Sequence, residues 1–194
     1  MATSVVSLVN NALGLIGAEF ITSIDDPKRA AQLAKQFFPD TRDAVLRAFS
    51  WNCVEKAVVL APLAQTPPFK WAYQFQLPSD FLRVISIEES TEYKVQGRKL
   101  LANVNVISLT YIYREQDVSQ YDPLLASCIE ARLASQLAIP ILENTGLADA
   151  MLQLYTQRLR EAKGVDSREK SQEQYEVEGW IESRYSNRVN RANR

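Results

Sequence analysis

The sequence contains no histidine. That absence removes Ser-His-Asp and Cys-His catalysis and most metal-ligand clusters, and it leaves carboxylate and lysine chemistry open. Cysteine is nearly as scarce. Cys53 and Cys128 stand far apart and outside any CxxC spacing. They predict two buried or half-buried free thiols, and neither a zinc site nor a disulfide framework. Charge of one sign is lacking too: 22 Lys and Arg against 23 Asp and Glu give a net charge of -1. A dedicated nucleic-acid binder carries a basic footprint that this balance does not supply. DNA can still pass close by without sticking, because tight non-specific binding needs many Lys/Arg–phosphate contacts. Long apolar runs are missing as well. No stretch is expected to reach the roughly 18 to 20 apolar residues of a membrane span. The apolar start, MATSVVSLVNNALGLIG, has no basic residue and is punctuated by Asn10 and Asn11, unlike a signal peptide. Synthesis in a reducing cytoplasm is the expectation.

What is present suits a globular chain. Hydrophobic residues make up 46% of the 194 and charged residues 23%, enough for one domain with a core, or a core plus an extension. Val5, Leu8, Val9, Ala12, Leu13 and Ile16 recur at three- and four-residue spacing and predict a first helix over about 4–16, with Gly17 ending it in the left-handed region. Asp26 and Pro27 form a cap-and-proline start for a second helix over about 28–49. Pro39 predicts a kink there, or two abutting helices. From Trp51 the residues turn β-rich. Strands are expected over about 51–60, 73–77, 82–87, 93–95, 99–101 and 106–113, with Gln96-Gly97-Arg98 as a hairpin turn. Pro62, Pro67 and Pro68 mark 61–70 as an irregular loop. Asp122-Pro123 opens a third helix that Pro140 is expected to end. A fourth runs over about 147–163 and Gly164 closes it.

These elements predict an α+β fold, mainly α: a four-helix bundle with a small antiparallel β unit inserted and an extended C-terminal tail. One domain spans 1–163, with helices over 3–50 and 122–163 and the β insertion over 51–115. The extension, 164–194, is polar with spaced apolar anchors, among them Tyr175 and Trp180, and cannot build its own core. It is expected to dock on its own domain, a neighbouring subunit or another protein.

Few motifs suggest chemistry. Ser167-Arg168-Glu169-Lys170 matches SxxK without partner motifs. Asp25-Asp26 reads as a helix cap, and Glu88-Glu89 as a solvated strand end. Gly14-Leu15-Ile16-Gly17 has no phosphate-loop context. No catalytic residue, metal or cofactor is expected. Arg184, Arg188, Arg191 and Arg194 form the one local charge cluster. They read as a solvated end, as an arm gripping an acidic protein surface, or as a phosphate contact. Trp71, Tyr73 and Phe75 read as core or as an aromatic contact surface. Arg42, Arg47 and Arg83 are candidates for salt bridges between subunits.

Several blocks, in order, resemble a known family. NNALGLIGAEFITSIDDPKRAA is similar to the start of phage tail tubular protein A, the head-to-tail adaptor family of short-tailed phages, with its "ALxxIG" turn and "I-x-S-[IL]-x-D" link. Phe38 to Asn52 resembles its "RDxxLRxxxWN" signature, with Cys53 where the family often has Phe. Trp71 to Val84 resembles its "Y-x-Y-x-LPxDxLRV" segment. Tyr113-Arg114, Asp122-Pro123-Leu124 and Ala131-Arg132-Leu133-Ala134 resemble its return to helix. The matches span about 7–141 and leave the C-terminal tail unmatched. The resemblance implies a non-catalytic structural protein of the virion, made in the host cytoplasm and placed at the head–tail junction. It implies a homo-oligomeric ring, usually dodecameric, that binds the portal protein above and a nozzle or tail tube protein below. DNA would pass through a central channel without sequence-specific binding. The alternative is a small nucleic-acid-binding module that uses the basic tail.

Overall fold

The computed structural model of the chain describes residues 4–88 and 91–169. Four helices and six strands follow in the order α1 (Val5–Leu15), α2 (Arg29–Ala48), β1 (Glu55–Leu60), β2 (Tyr73–Gln76), β3 (Phe81–Ile87), β4 (Tyr93–Gln96), β5 (Lys99–Ala102), β6 (Ile107–Tyr113), α3 (Pro123–Leu142) and α4 (Thr145–Glu169). The described residues are α+β, at about 49% helix and 20% strand. The expected four-helix bundle with one small β unit is not what forms. The strands make two separate three-stranded antiparallel sheets, ordered β1-β6-β3 and β2-β5-β4. The helices arrange around a hub: α1, α2 and α4 each pack mainly on α3.

The reason lies in α3. Leu125, Cys128, Ile129, Ala131, Leu133, Ala134, Leu137 and Ala138 are all buried, and they point around the helix rather than along one stripe. A helix apolar on several sides has to be covered on several sides. Its 20 residues are long and apolar enough to match a membrane span, contrary to the sequence expectation, yet 56% of that window is buried inside the fold.

Two cores result. The larger joins the helices to Trp51, Val54, Leu82 and Ile112. The smaller holds Leu60, Phe75, Leu77, Leu100, Ala102, Ile107, Leu109 and Tyr111. Period-two geometry in β6 sends Ile107, Leu109 and Tyr111 to the smaller core and Ile112 to the larger. The β1-β6-β3 sheet is therefore a middle layer, with helices on one face and the second sheet on the other.

Several sequence signals held and others failed for local reasons. Asp122 caps α3 by accepting from the Leu124 amide at 2.8 Å, with Pro123 in the first turn. Gly97 takes φ +61 in the β4–β5 hairpin, and Gly17 takes φ +71 after α1. Asp26 does not cap α2. Its carboxylate accepts from the Thr22 and Ser23 amides and the Thr22 hydroxyl, so it closes the preceding loop, and Lys28 stands at the helix start without a side-chain cap. Pro39 does not split α2, which runs as one helix. Lys35 and Pro39 are both exposed, so the carbonyl that lacks its donor lies on the wet side. Pro140 does not end α3. The helix goes on to Leu142, and Glu143 closes it in the left-handed region at φ 53. Gly164 lies inside α4, which continues to Glu169. Near that end Asp166 accepts from the Asn52 amide at 3.2 Å, and its carbonyl accepts from Asn52 Nδ2 at 3.1 Å.

Candidate interaction surface

The end of α2 carries a dense set of polar side chains against the middle sheet. Asp43 bridges two arginines: its Oδ1 lies 2.8 Å from Arg42 Nη2, and its Oδ2 lies 2.5 Å from Nε of Arg114, just past β6. The Arg42 side chain is only 11% exposed, so its charge is matched within the chain. Arg47 donates to the Leu82 carbonyl of β3. Arg83 answers by donating to the Arg47 carbonyl at 3.2 Å and to the Ser50 hydroxyl. Trp51, 1% exposed, donates its indole N–H to the Val45 carbonyl at 3.0 Å and meets Phe49 edge-on at 5.4 Å. Arg42, Arg47 and Arg83 are thus brought together at one helix–sheet junction.

Beside that junction lies an open groove of about 480 Å³. Arg47, Leu82, Arg83, Tyr93, Val95 and Arg98 line it. Arg98, on the β4–β5 turn, donates to the Pro78 carbonyl at 2.7 Å. Among the described residues, Arg47, Arg83 and Arg98 pair with no carboxylate, and the buried Arg83 Nε has no hydrogen-bond partner. The groove therefore combines an apolar wall with uncompensated positive charge.

The aromatic candidates separate. Phe75 is fully buried in the smaller core and offers no surface. Tyr73 packs against the same core while half-buried. Trp71 is half-buried, with Lys70 Nζ 5.1 Å from its ring centroid. The sequence reading overlooked Phe69, 79% exposed on the proline-rich loop, and Phe20, 59% exposed after α1. The Pro67-Pro68-Phe69 run was the available signal for Phe69, because a phenylalanine following two prolines in a loop has few partners to pack on. Tyr175, Trp180, Arg184, Arg188, Arg191 and Arg194 lie outside the described residues.

The other polar groups show structural chemistry. Burial opposes ionisation of Asp80, but hydrogen bonds from Lys56 and Tyr111 win and hold its pKa below the usual value. Burial and the Asp80 hydrogen bond push the Tyr111 hydroxyl up to about 12. Burial raises both thiols, Cys128 to about 11, so neither is an activated nucleophile. Asp25 pairs with Lys35 at 2.6 Å on the exposed surface. Among the described residues no three Cys, Asp or Glu side chains gather as a metal ion would require. What the surface can do chemically is bind: charged pairing at the arginines and apolar contact at the hairpin. No protein-family model matches the chain, and no curated protein matches it.

Proposed function

We propose that the chain is a structural interaction protein whose work is geometric: a subunit that assembles side by side with its own copies into a closed ring. More particularly, we propose a head-to-tail adaptor of a tailed bacteriophage. In this reading a dodecameric ring sits between the portal protein and the tail nozzle or tube protein. It holds the two in register and leaves a channel through which DNA passes.

One observation carries the reading. The blocks that resemble the adaptor family lie far apart in sequence, and their residues meet. Asp43, Arg47 and Trp51 come from the second block, Leu82 and Arg83 from the third, and Arg114 from the fourth, and together they build the α2–sheet junction. In the first block Asn10 holds the link after α1 through two 2.9 Å bonds to the Ile21 backbone. Chance matches would scatter over unrelated places, whereas matches that specify one architecture should touch. Exposed Phe69 adds an apolar contact point of the kind protein interfaces favour.

Mass photometry of the purified full chain, alone and with its cognate portal protein, tests this. The expected outcome is a discrete mass step to portal plus a ring of copies. A folded chain that leaves the portal mass unchanged overturns the reading. Steeply salt-dependent DNA binding by that same chain would then favour the nucleic-acid alternative.

A further inference from the structure

The three arginines of the groove are held in place without being neutralised. Arg47 donates to the Leu82 carbonyl, Arg83 to the Arg47 carbonyl and the Ser50 hydroxyl, and Arg98 to the Pro78 carbonyl. These acceptors carry no charge, so they fix each guanidinium and leave its positive charge to pair with something else. Among the described residues no carboxylate does so. The rest of the wall is apolar, and its Tyr93 and Val95 are 44% and 40% exposed. A fitting occupant carries carboxylates beside apolar side chains and stands out from its own surface.

Among the described residues, the exposed apolar side chains divide by their neighbours' charge. Phe69, 79% exposed, is followed by Lys70, which has the wrong sign. Phe20 follows Glu19, but that carboxylate already pairs with Lys28 at 2.5 Å. Val59 lines a shallow groove of its own and so cannot fill another. The turn between α3 and α4 does match. Ile139 is 50% exposed, and Leu142 and Leu152 are each 40% exposed. Glu143 and Asp149, close by in sequence, are exposed and pair with no cation among the described residues.

This turn cannot reach the groove of its own molecule. Asp166 in α4 binds Asn52, and Ser50, two residues before Asn52, holds Arg83 of the groove. From Asp166 back to Thr145 the helix rises about 30 Å. The turn and the groove therefore lie at opposite ends of α4, and the partner has to be another copy. Two different surfaces that meet in this way make a head-to-tail contact, which closes into a ring when the rotation closes.

We propose that the α3–α4 turn of one copy docks in the arginine-lined groove of the next. Glu143 and Asp149 pair with the groove arginines, and the exposed apolar residues of the turn cover Tyr93 and Val95. This contact rests on the ring reading above and names the two surfaces that would build the ring.

Mass photometry of ring assembly on the cognate portal protein, over a series of chain concentrations, tests it. The natural full chain is compared with Arg98→Gln, with E143Q/D149N and with the chain carrying all three changes. Each change removes charge from an exposed position outside both cores. Arg98→Gln and E143Q/D149N are each expected to raise the concentration needed for half assembly about tenfold. The combined chain should fall well short of the hundredfold product, because both changes break the same contact. Leu152→Gln, which removes apolar surface and leaves the charges in place, should weaken assembly in the same direction. Full assembly by E143Q/D149N and by Leu152→Gln overturns the proposal and leaves the ring reading standing. So does a combined loss equal to the product, which would make the two surfaces independent. Assembly lost with Arg98→Gln alone assigns the groove to a different partner and also overturns it. A natural chain that forms no ring overturns the ring reading and this contact with it.

Discussion

Asp80 ties three parts of the middle sheet with one residue. Its Oδ2 lies 3.0 Å from Lys56 Nζ on β1, its Oδ1 accepts from the Tyr111 hydroxyl of β6 at 3.1 Å, and its carbonyl accepts from the Arg114 amide at 2.7 Å. Asparagine would keep the shape and the backbone bond but lose the charge. Asp80→Asn is expected to cost about 1 kcal/mol near neutral pH, the scale of one partly exposed ion pair plus a weakened hydrogen bond. The pH dependence has a definite sign. The folded pKa is lowered, so the carboxylate stabilises the fold above its ordinary value of 3.8, and that contribution fades as pH falls through the folded value. Urea denaturation of both proteins from neutral to acid should show curves that differ near pH 7 and converge below pH 3.8. A gap that persists unchanged into acid would rule out the charge as its source.

At the scale of elements, the β4–β5 hairpin depends on its turn. Gly97 sits at φ +61, and a Cβ there would meet no atom within 4 Å. Gly97→Ala is therefore a pure test of backbone conformation. It should destabilise the hairpin by roughly 1–2 kcal/mol, the cost of the left-handed region for an L residue. The expected readout is a loss of protection across 93–102, with α3 amides unmoved. This turn was legible because glycine between two β-rich stretches has few other uses. Asp122-Pro123 was legible for the same kind of reason. Asp26-Pro27, the same dipeptide, misled because loop amides four and three residues earlier captured the carboxylate. Pro140 and Gly164 misled as helix ends because a breaker residue costs a few kcal/mol and the packing of α3 and the Asn52 contact outweigh it. The junction arginines were visible as charges. Their partners were not, because Arg47 and Arg83 bond to main-chain carbonyls, which leave no mark on a sequence.

At the scale of the whole molecule, the division of six strands into two sheets was not legible. Each strand's own residues announce β structure. Which strands pair is decided by long-range packing: β6 joins β1 to β3, and β2 closes on β5. The same partition buries Phe75, which a reading of local aromatics left open between core and surface. Because the middle sheet faces both cores, they should not unfold separately. Phe75→Ala empties a fully buried ring site in the smaller core and should cost about 3–5 kcal/mol. The near-UV signal of Trp51, buried in the larger core, can be isolated in a W71F/W180F background. If the shared sheet couples the cores, Phe75→Ala shifts the Trp51 transition and the far-UV transition to the same lower denaturant concentration. A Trp51 transition left in place while part of the far-UV signal melts early would mean that the outer sheet folds as its own unit. Coupling is the expected result, because Ile112 and Tyr111 are adjacent on one strand and face opposite cores, so neither core can open without releasing the strand that both share.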